Sequence, residues 1–338
     1  MAGARGDPAP RPRASVVISA RNRVDMLKDC MSGLARQTVG LDAFEVVLVD
    51  NCSTDDLAPV YHYARSLGLD IRGLRTQHDR GPAPARNLGV EAASAPLIAF
   101  TDSDCRPVPG WLESVCAAFD DPSVAMVSGP VLPKPEQSLS ATSRVTFVTA
   151  TEHPSFPTAN LAIRRDVFLA HRGFDTSLSF TDPFGRATEA ADTDLAWRII
   201  KSGHKRSFVP AAVIEHEVER LPMWMWVIEP TRLFILPALV QRHPELRTAM
   251  LTWRVMFYPP SLVLYVGTPL AILAAWTAPA LLVLPILALL VRSAIRRRSL
   301  NPVVVGRQCL RVLANLPRLA VMSASLIYGS IRYRCLVL

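Results

Sequence analysis

The 338-residue sequence contains no C-x-x-C pair and no histidines at metal-ligand spacing. Its six cysteines, Cys30, Cys52, Cys105, Cys116, Cys309 and Cys335, lie scattered along the chain. That pattern excludes a zinc cluster and a disulfide framework and fits a reducing compartment. Residues 1–14 hold Arg, Pro and Gly without an apolar core, so no cleavable secretory signal is read there and a disordered tail is expected. Acidic residues are nearly missing from Leu221 onward, where 13 Arg face only Glu229 and Glu245. That part carries +11 and residues 1–220 carry −3 of the total +8. The basic excess therefore sits in the most hydrophobic third of the chain, which points to a membrane surface and away from nucleic acid.

What is present reads first as an α/β domain. Ser15–Ser19, Phe44–Asp50, Asp70–Arg75, Leu97–Phe100 and Val124–Ser128 are short runs rich in Val, Ile and Leu. Such near-continuous apolar strands are covered on both faces, as in a parallel sheet with crossover helices. Helices are expected over Arg23–Gln37, Gly81–Ala93 and Trp111–Phe119, with a helix start near Asp55. Pro130–Pro157 has five prolines and reads as a long mobile loop with one short helix near Ser140. A short strand-like piece at Thr158–Ile163 and a final strand ending in His216 follow.

Polar residues gather where these strands end, the edge at which open α/β sheets bind ligands. Asp102 and Asp104 follow Leu97–Phe100 and, one residue apart, can point the same way. Two carboxylates so placed suit a divalent cation, and the cation suits a phosphate, although Asp is equally a turn residue. Asp192 opens an amphipathic helix, where a first-turn carboxylate is also favoured by the helix dipole. His216 ends a strand, a position shared by structural and metal-binding histidines.

In order along residues 15–217 the chain carries Val-Val-Ile-Ser-Ala-Arg-Asn-Arg, Val-Val-Leu-Val-Asp-Asn-Cys-Ser-Thr-Asp, Ala-Arg-Asn-Leu-Gly and Asp-Ser-Asp. These are followed by Asn-Leu-Ala-Ile-Arg-Arg, Gly-Phe-Asp and Ala-Asp-Thr-Asp-Leu-Ala-Trp-Arg. With these seven motifs in register, the chain resembles the family 2 glycosyltransferases, inverting enzymes with a nucleotide-diphospho-sugar transferase fold. The resemblance implies the GT-A type: a mixed, mostly parallel sheet with helices on both faces, here over residues 15–220. It implies that Ser19, Ala20, Arg21 and Asp50 line the base and ribose, and that Arg86 lies near the base or diphosphate. Asp102 is then shared between nucleotide and metal, with Asp104 and His216 as ligands of Mg²⁺ or Mn²⁺. Asp192 matches the base that takes the acceptor's proton, while Ala191 replaces the usual neighbouring Glu and Glu189 stands two residues earlier. Asn160, Gly173 and Phe174 fall on the expected acceptor side, and Asp175 reads as a turn residue. No Gln-x-x-Arg-Trp motif follows, so a single-sugar transfer is expected rather than polymer synthesis.

The remaining sequence is read as membrane-associated. Residues 221–254, starting with Leu221-Pro-Met-Trp-Met-Trp226, suit interfacial helices. Val255–Val291 is free of charge and long enough for two short membrane helices, turning near Ala275–Pro279. Arginines on both flanks place the ends, and the catalytic domain, on the cytoplasmic side. Residues 292–338 are expected as amphipathic or membrane-associated helices, with Arg318 interrupting an apolar stretch. The expected function is a membrane-anchored, metal-dependent enzyme moving one sugar from a nucleotide-diphospho-sugar to a lipid-linked or membrane-near hydroxyl. A degenerate nucleotide-sugar-binding homologue rests only on Ala191, and a nucleotidyltransferase lacks its Gly-rich, Lys-bearing phosphate loop.

Overall fold

The computed structural model describes residues 12–140, 142–144, 149–182, 184–277 and 302–338. The chain divides into two units, Met1–Arg220 and Leu221–Leu338.

Strand β1 (Ala14–Ala20), helix α1 (Val24–Ala35), β2 (Phe44–Asp50), α2 (Ala58–Ser66), β3 (Ile71–Arg75), α3 (Pro82–Ala92) and β4 (Leu97–Phe100) open the first unit. They are followed by β5 (Cys105–Pro107), α4 (Trp111–Ala118), β6 (Val124–Ser128), β7 (Val131–Pro133), β8 (Ser143–Arg144), β9 (Leu161–Arg164) and α5 (Arg165–Ala170). The hairpin β10 (Ser179–Thr181) and β11 (Ala187–Glu189), then α6 (Ala191–Lys201), β12 (Lys205–Phe208), β13 (Ile214–His216) and β14 (Glu219–Arg220) complete it.

The main sheet has the order β12-β6-β9-β4-β1-β2-β3, with β9 antiparallel to both neighbours and the other pairs parallel. Alternation along β1 and β2 divides the core into two layers. Val16, Ile18, Val46 and Leu48 pack with Leu27, Met31, Val60 and Trp111, the side of α1, α2 and α4. Val17, Val47 and Val49 pack with Ala83, Val90, Phe168 and Leu195, the side of α3, α5 and α6. Gly89 lets α3 lie directly on the sheet, because a Cβ there would stand 2.5 Å from Val17 Cγ1. Both layers being filled explains why these strands read as unbroken apolar runs.

Several expectations are corrected. After β2 the chain turns through Cys52, at φ 60°, and the helix begins only at Ala58. The Pro-rich segment carries β7 and β8 where a helix near Ser140 was expected, since prolines and Ser-Thr pairs there favour extended pairing over helix. β13 pairs antiparallel with β5, setting His216 opposite Cys105, and parallel with β7. That small sheet brings the strand-end histidine beside the Asp102–Asp104 turn.

The second unit contains α7 (Met223–Ile228), a 3₁₀ stretch Glu229–Ile235, α8 (Leu236–Arg242), α9 (Leu246–Met250), α10 (Leu262–Tyr265), α11 (Gly267–Thr277) and α12 (Pro302–Arg332). Of the two membrane helices expected over 255–291, residues 278–291 lie outside the described residues. The preceding part forms the 4-residue α10 and the 11-residue α11. Among the described residues the one stretch long and apolar enough to cross a membrane is Met223–Arg242. Arg318 does not interrupt α12: it pairs with Glu229 at 3.0 Å and lies 4.9 Å from the Trp226 ring centroid, so its charge is matched inside the unit.

Candidate functional site

The carboxyl ends of β1, β2 and β4 converge on one polar surface. Ala20 is buried, Ser19 half-buried and Arg21 exposed at the end of β1. Asp50, at the tip of β2, accepts from the Ser53 amide at 2.7 Å and pairs with Arg75 at 2.8 Å. Arg21 reaches Asp79, which also accepts from Asn51 Nδ2 at 2.8 Å and from the Gly81 amide at 3.1 Å. The expected base-and-ribose residues thus share one loop cluster with Asp79, which sequence reasoning had not singled out. Its signal is the turn chemistry of an Asp two residues before Gly81-Pro82.

The Asp102–Asp104 turn forms the centre. Carboxylate oxygens of Asp102 and Asp104, Cys105 Sγ and a ring nitrogen of His216 all lie within 4.8 Å of one another. His216 Nδ1 is 2.8 Å from the Glu217 carbonyl, which can only accept, so Nδ1 carries the proton. In the neutral ring Nε2 then keeps a free lone pair, 3.6 Å from Asp104 Oδ1. Oδ1 is buried and accepts no hydrogen bond, whereas Oδ2 accepts from Arg23. An orphaned carboxylate oxygen facing an imidazole lone pair fits a divalent cation: two carboxylates and one neutral imidazole are the donors available. Burial raises the Asp104 carboxyl, but His216, when its ring is protonated, and then Arg23 outweigh it and hold it below its ordinary value. Burial and the two aspartates push the Cys105 thiol well up, so it stays a neutral thiol behind the turn.

On the other side Arg86, buried on α3, donates to Asp102 Oδ1 at 2.7 Å and lies 3.4 Å from Glu189 Oε2. Glu189 Oε1 accepts from the Ala83 amide and from Ser179 Oγ, both at 2.9 Å. It thereby caps the N-terminus of α3, whose first turn has no capping side chain of its own. Asp192, in the first turn of α6, accepts from the Thr193 amide at 2.7 Å. Burial pushes its carboxyl up to about 6, with Thr193 and Arg86 pulling it down and Glu189 adding to the rise. A carboxylate so tuned takes up a proton near neutrality, as a general base must.

The three residues expected on the acceptor side, Asn160, Gly173 and Phe174, are held by contacts within the first unit. Asn160 is 2 % exposed; its Oδ1 accepts from Trp111 Nε1 at 2.9 Å and its Nδ2 donates to the Pro130 and Ala212 carbonyls, both at 2.8 Å. Its amide is spent on tying three loops together. Gly173, at φ 61°, has no room for a Cβ, which would meet Asn87 Oδ1 at 2.7 Å. Phe174 is buried against Phe100 and Phe168; its backbone N–H donates to Asn87 Oδ1 and its carbonyl accepts from Asn87 Nδ2, so this turn fixes α3 to the core. Asp175 accepts from Ser177 in that turn.

A cavity of about 600 Å³ opens beside Asp104 and His216, lined also by Arg23, Arg144 and Arg220 and by the carboxylates Glu136, Glu217 and Glu219. Residues 15–174 match the family model described as "Glycosyl transferase family 2". Over that stretch the first unit is similar to glycosyltransferase family 2. It is 30% identical over 231 residues to the pre-mycofactocin glycosyltransferase of Mycobacterium tuberculosis, covering 63% of this chain and 44% of the relative. It is 42% identical over 119 residues to the validoxylamine A glucosyltransferase of Streptomyces hygroscopicus subsp. jinggangensis, covering 34% and 28%. The chain therefore spans less than half the length of these relatives. Among solved structures, the mannosyltransferase PcManGT from Pyrobaculum calidifontis, in complex with GDP-Man and Mn²⁺, superposes with a TM-score of 0.55 over 97% of this chain and 88% of that one. At 21% identity this likeness shows the fold alone, a mixed α/β sheet of the GT-A type.

Proposed function

We propose that this chain is a metal-dependent inverting glycosyltransferase that moves one sugar from a nucleotide-diphospho-sugar to a hydroxyl of a membrane-near, lipid-linked or cell-envelope acceptor. The observation that carries the reading is the pairing of an orphaned Asp104 oxygen and a free His216 lone pair with a proton-accepting Asp192 across Arg86. The PcManGT complex with GDP-Man and Mn²⁺ supports a nucleotide-sugar donor and a divalent cation for this fold.

Asp102, Asp104 and His216 would hold Mg²⁺ or Mn²⁺. Such a cation supplies electrostatic stabilisation to the charge that develops on a departing diphosphate. Ser19, Ala20, Arg21 and Asp50 frame the base and ribose, and Arg86 is held by Asp102 and Glu189 toward the diphosphate and sugar. Asp192 takes the proton of the acceptor hydroxyl as that oxygen bonds to the anomeric carbon. The bond from that carbon to the phosphate oxygen breaks on the opposite face, and its electron pair leaves with the nucleoside diphosphate. Inversion at the anomeric carbon follows from this single in-line displacement.

Membrane association is supported by the second unit. α11 carries no charge, and Leu270, Ile272, Leu273 and Trp276 on it are exposed, Trp276 at 88 %. A helix that is apolar all round is covered by protein or by lipid, and the 13 arginines of residues 221–338 favour an anionic lipid surface. Two crossings within 255–291 with the catalytic unit in the cytosol remain the proposed topology.

The test is direct: detergent-purified chain is incubated with UDP-, GDP- and dTDP-sugars and Mn²⁺ or Mg²⁺, with membrane lipid extract as acceptor. Release of nucleoside diphosphate with one donor, abolished by chelation, is expected. Donor binding without any turnover across this set would favour a non-catalytic binding protein.

A further inference from the structure

Arg23 closes the first of the seven motifs, yet neither the resemblance nor the comparisons give it a role. It stands at φ 67°, directly after Asn22 at φ 60°. For Asn22 this left-handed conformation is matched locally, because its Oδ1 accepts from the Thr54 and Asp55 amides at 2.9 and 3.3 Å. Arg23 has no short polar side chain to do the same, and a bulky residue held there is a strained one whose orientation the surroundings impose. That orientation sends its guanidinium Nη1 to Asp104 Oδ2. The other oxygen of the same carboxylate is left without a hydrogen bond, facing His216.

The charges around the turn decide what Arg23 is for. Arg86 is matched by Asp102 and Glu189, Arg144 by Glu219 at 3.1 Å, and Arg220 donates to Ser138 Oγ at 2.6 Å. Among the described residues Arg23 pairs with Asp104 alone, and Asp104 is the carboxylate whose free oxygen suits a cation. Once that carboxylate is shared with a divalent ion, Arg23 keeps most of its positive charge and faces the cavity beside Asp104 and His216. A diphosphate carries more negative charge than one divalent ion neutralises, and a guanidinium fork matches phosphate oxygens in pairs.

We propose that Arg23 is a phosphate-binding residue which restricts Asp104 to a one-oxygen bond with the cation and grips the donor diphosphate with its remaining N–H groups. This rests on the proposed glycosyltransferase reading and adds to it a residue that makes the metal and nucleotide sites opposed in charge. The cation alone is repelled by Arg23, whereas the nucleotide is attracted by it.

The experiment uses full-length chain in detergent, with Arg23→Gln to remove the charge and Arg23→Lys to keep it without the fork. Mn²⁺ binding in the absence of nucleotide is read from the loss of the free-ion electron paramagnetic resonance signal. UDP and GDP binding in EDTA is read by calorimetry. Arg23→Gln is expected to bind Mn²⁺ alone two- to ten-fold more tightly and the preferred nucleotide at least five-fold more weakly, with Arg23→Lys retaining part of the nucleotide affinity. A merely structural Arg23 would weaken both together, so parallel losses overturn the proposal, as does unchanged nucleotide affinity. Wild-type chain that binds neither Mn²⁺ nor nucleotide overturns the glycosyltransferase reading, and the role of Arg23 with it.

Discussion

His216 Nε2 faces Asp104 Oδ1 at 3.6 Å, and that oxygen is buried without a hydrogen bond. A buried carboxylate oxygen left unpaired costs about 1–3 kcal/mol or more in a folded protein, and the cation proposed for this position removes that cost. His216→Ala and Asp104→Asn are therefore expected to lower Mn²⁺ affinity at least ten-fold while raising the melting temperature or leaving it unchanged without metal. Differential scanning fluorimetry with and without Mn²⁺ checks both effects. A metal-independent loss of stability in Asp104→Asn would instead mark the carboxylate as structural, held for Arg23.

Asp192 sets the expected pH dependence. Its carboxyl, pushed up to about 6, must be ionised to accept the acceptor's proton, so the rate rises as pH increases through about 6 and then levels. Asp192→Asn is expected to reduce kcat by 10²–10⁴ with the donor Kd nearly unchanged, since the group acts on the acceptor side of the reaction. Stability runs the other way. A carboxyl raised on folding is stabilising below its unfolded value near 4, and that contribution is lost as pH rises through about 6. The Asn variant should therefore be more stable than wild type at pH 7, by an upper limit of roughly 3 kcal/mol, and no more stable at pH 4. Urea titrations at the two pH values separate this from a change in folding.

Much of this arrangement is legible in the residues. β2 and β4 are complete in the sequence pattern because both of their faces are covered, and a strand covered on both faces has no polar alternation to blur its ends. The positions of Asp102 and Asp104, in the turn directly after β4, and of His216, at the end of β13, follow from the strand pattern. That of Asn160 does not, since an amide beside a short strand has the same local sequence whether it faces a cleft or closes a buried knot of loops. Only its three partners, from residues 111, 130 and 212, decide. Arg23 escapes for the same reason: its role depends on a left-handed turn and on a carboxylate 81 residues away. Glu189, two residues before Ala191, has its carboxylate bonded to the Ala83 amide, Ser179 and Arg86, partners its local sequence does not announce, while Ala191 lies buried in the core.

The buried position of Asn160 gives its own expectation. Asn160→Ala takes their Asn160 partner from Trp111 Nε1 and the Ala212 carbonyl, while the Pro130 carbonyl keeps the Ile214 amide at 3.0 Å, and should cost about 2–4 kcal/mol from the unmade hydrogen bonds. The acceptor KM of the protein that remains folded should not move. Chemical denaturation and initial-rate kinetics on the same preparation distinguish this from an acceptor-binding role, in which KM rises and stability is kept.

Glu189 and Arg86 offer a contrast between two kinds of loss. Arg86→Lys keeps a charge but cannot meet Asp102 and Glu189 as a planar fork, so donor affinity should fall about ten-fold or more with little change in folding. Glu189→Gln retains an oxygen for the Ala83 amide and Ser179, and should keep the cap on α3 while releasing Arg86. Glu189→Ala loses both and should cost about 1 kcal/mol more, the usual worth of an N-terminal cap. Nucleotide binding should therefore weaken in both Glu189 variants, and thermal stability in the alanine variant alone.

The second unit predicts how the protein partitions. The uncharged α11, with Trp276 at 88 % exposure, needs a cover that water does not supply, and arginines outnumber acidic residues 13 to 2 in residues 221–338. Flotation with liposomes containing phosphatidylglycerol should carry the full chain upward, and 1 M salt should release little of it, because apolar burial outlasts screened charge. Replacing Leu270, Leu273 and Trp276 with Ser should leave a salt-sensitive fraction, held by the arginines alone. Recovery of the unaltered chain in the soluble fraction at low salt would count against a lipid cover and leave protein as the partner of α11.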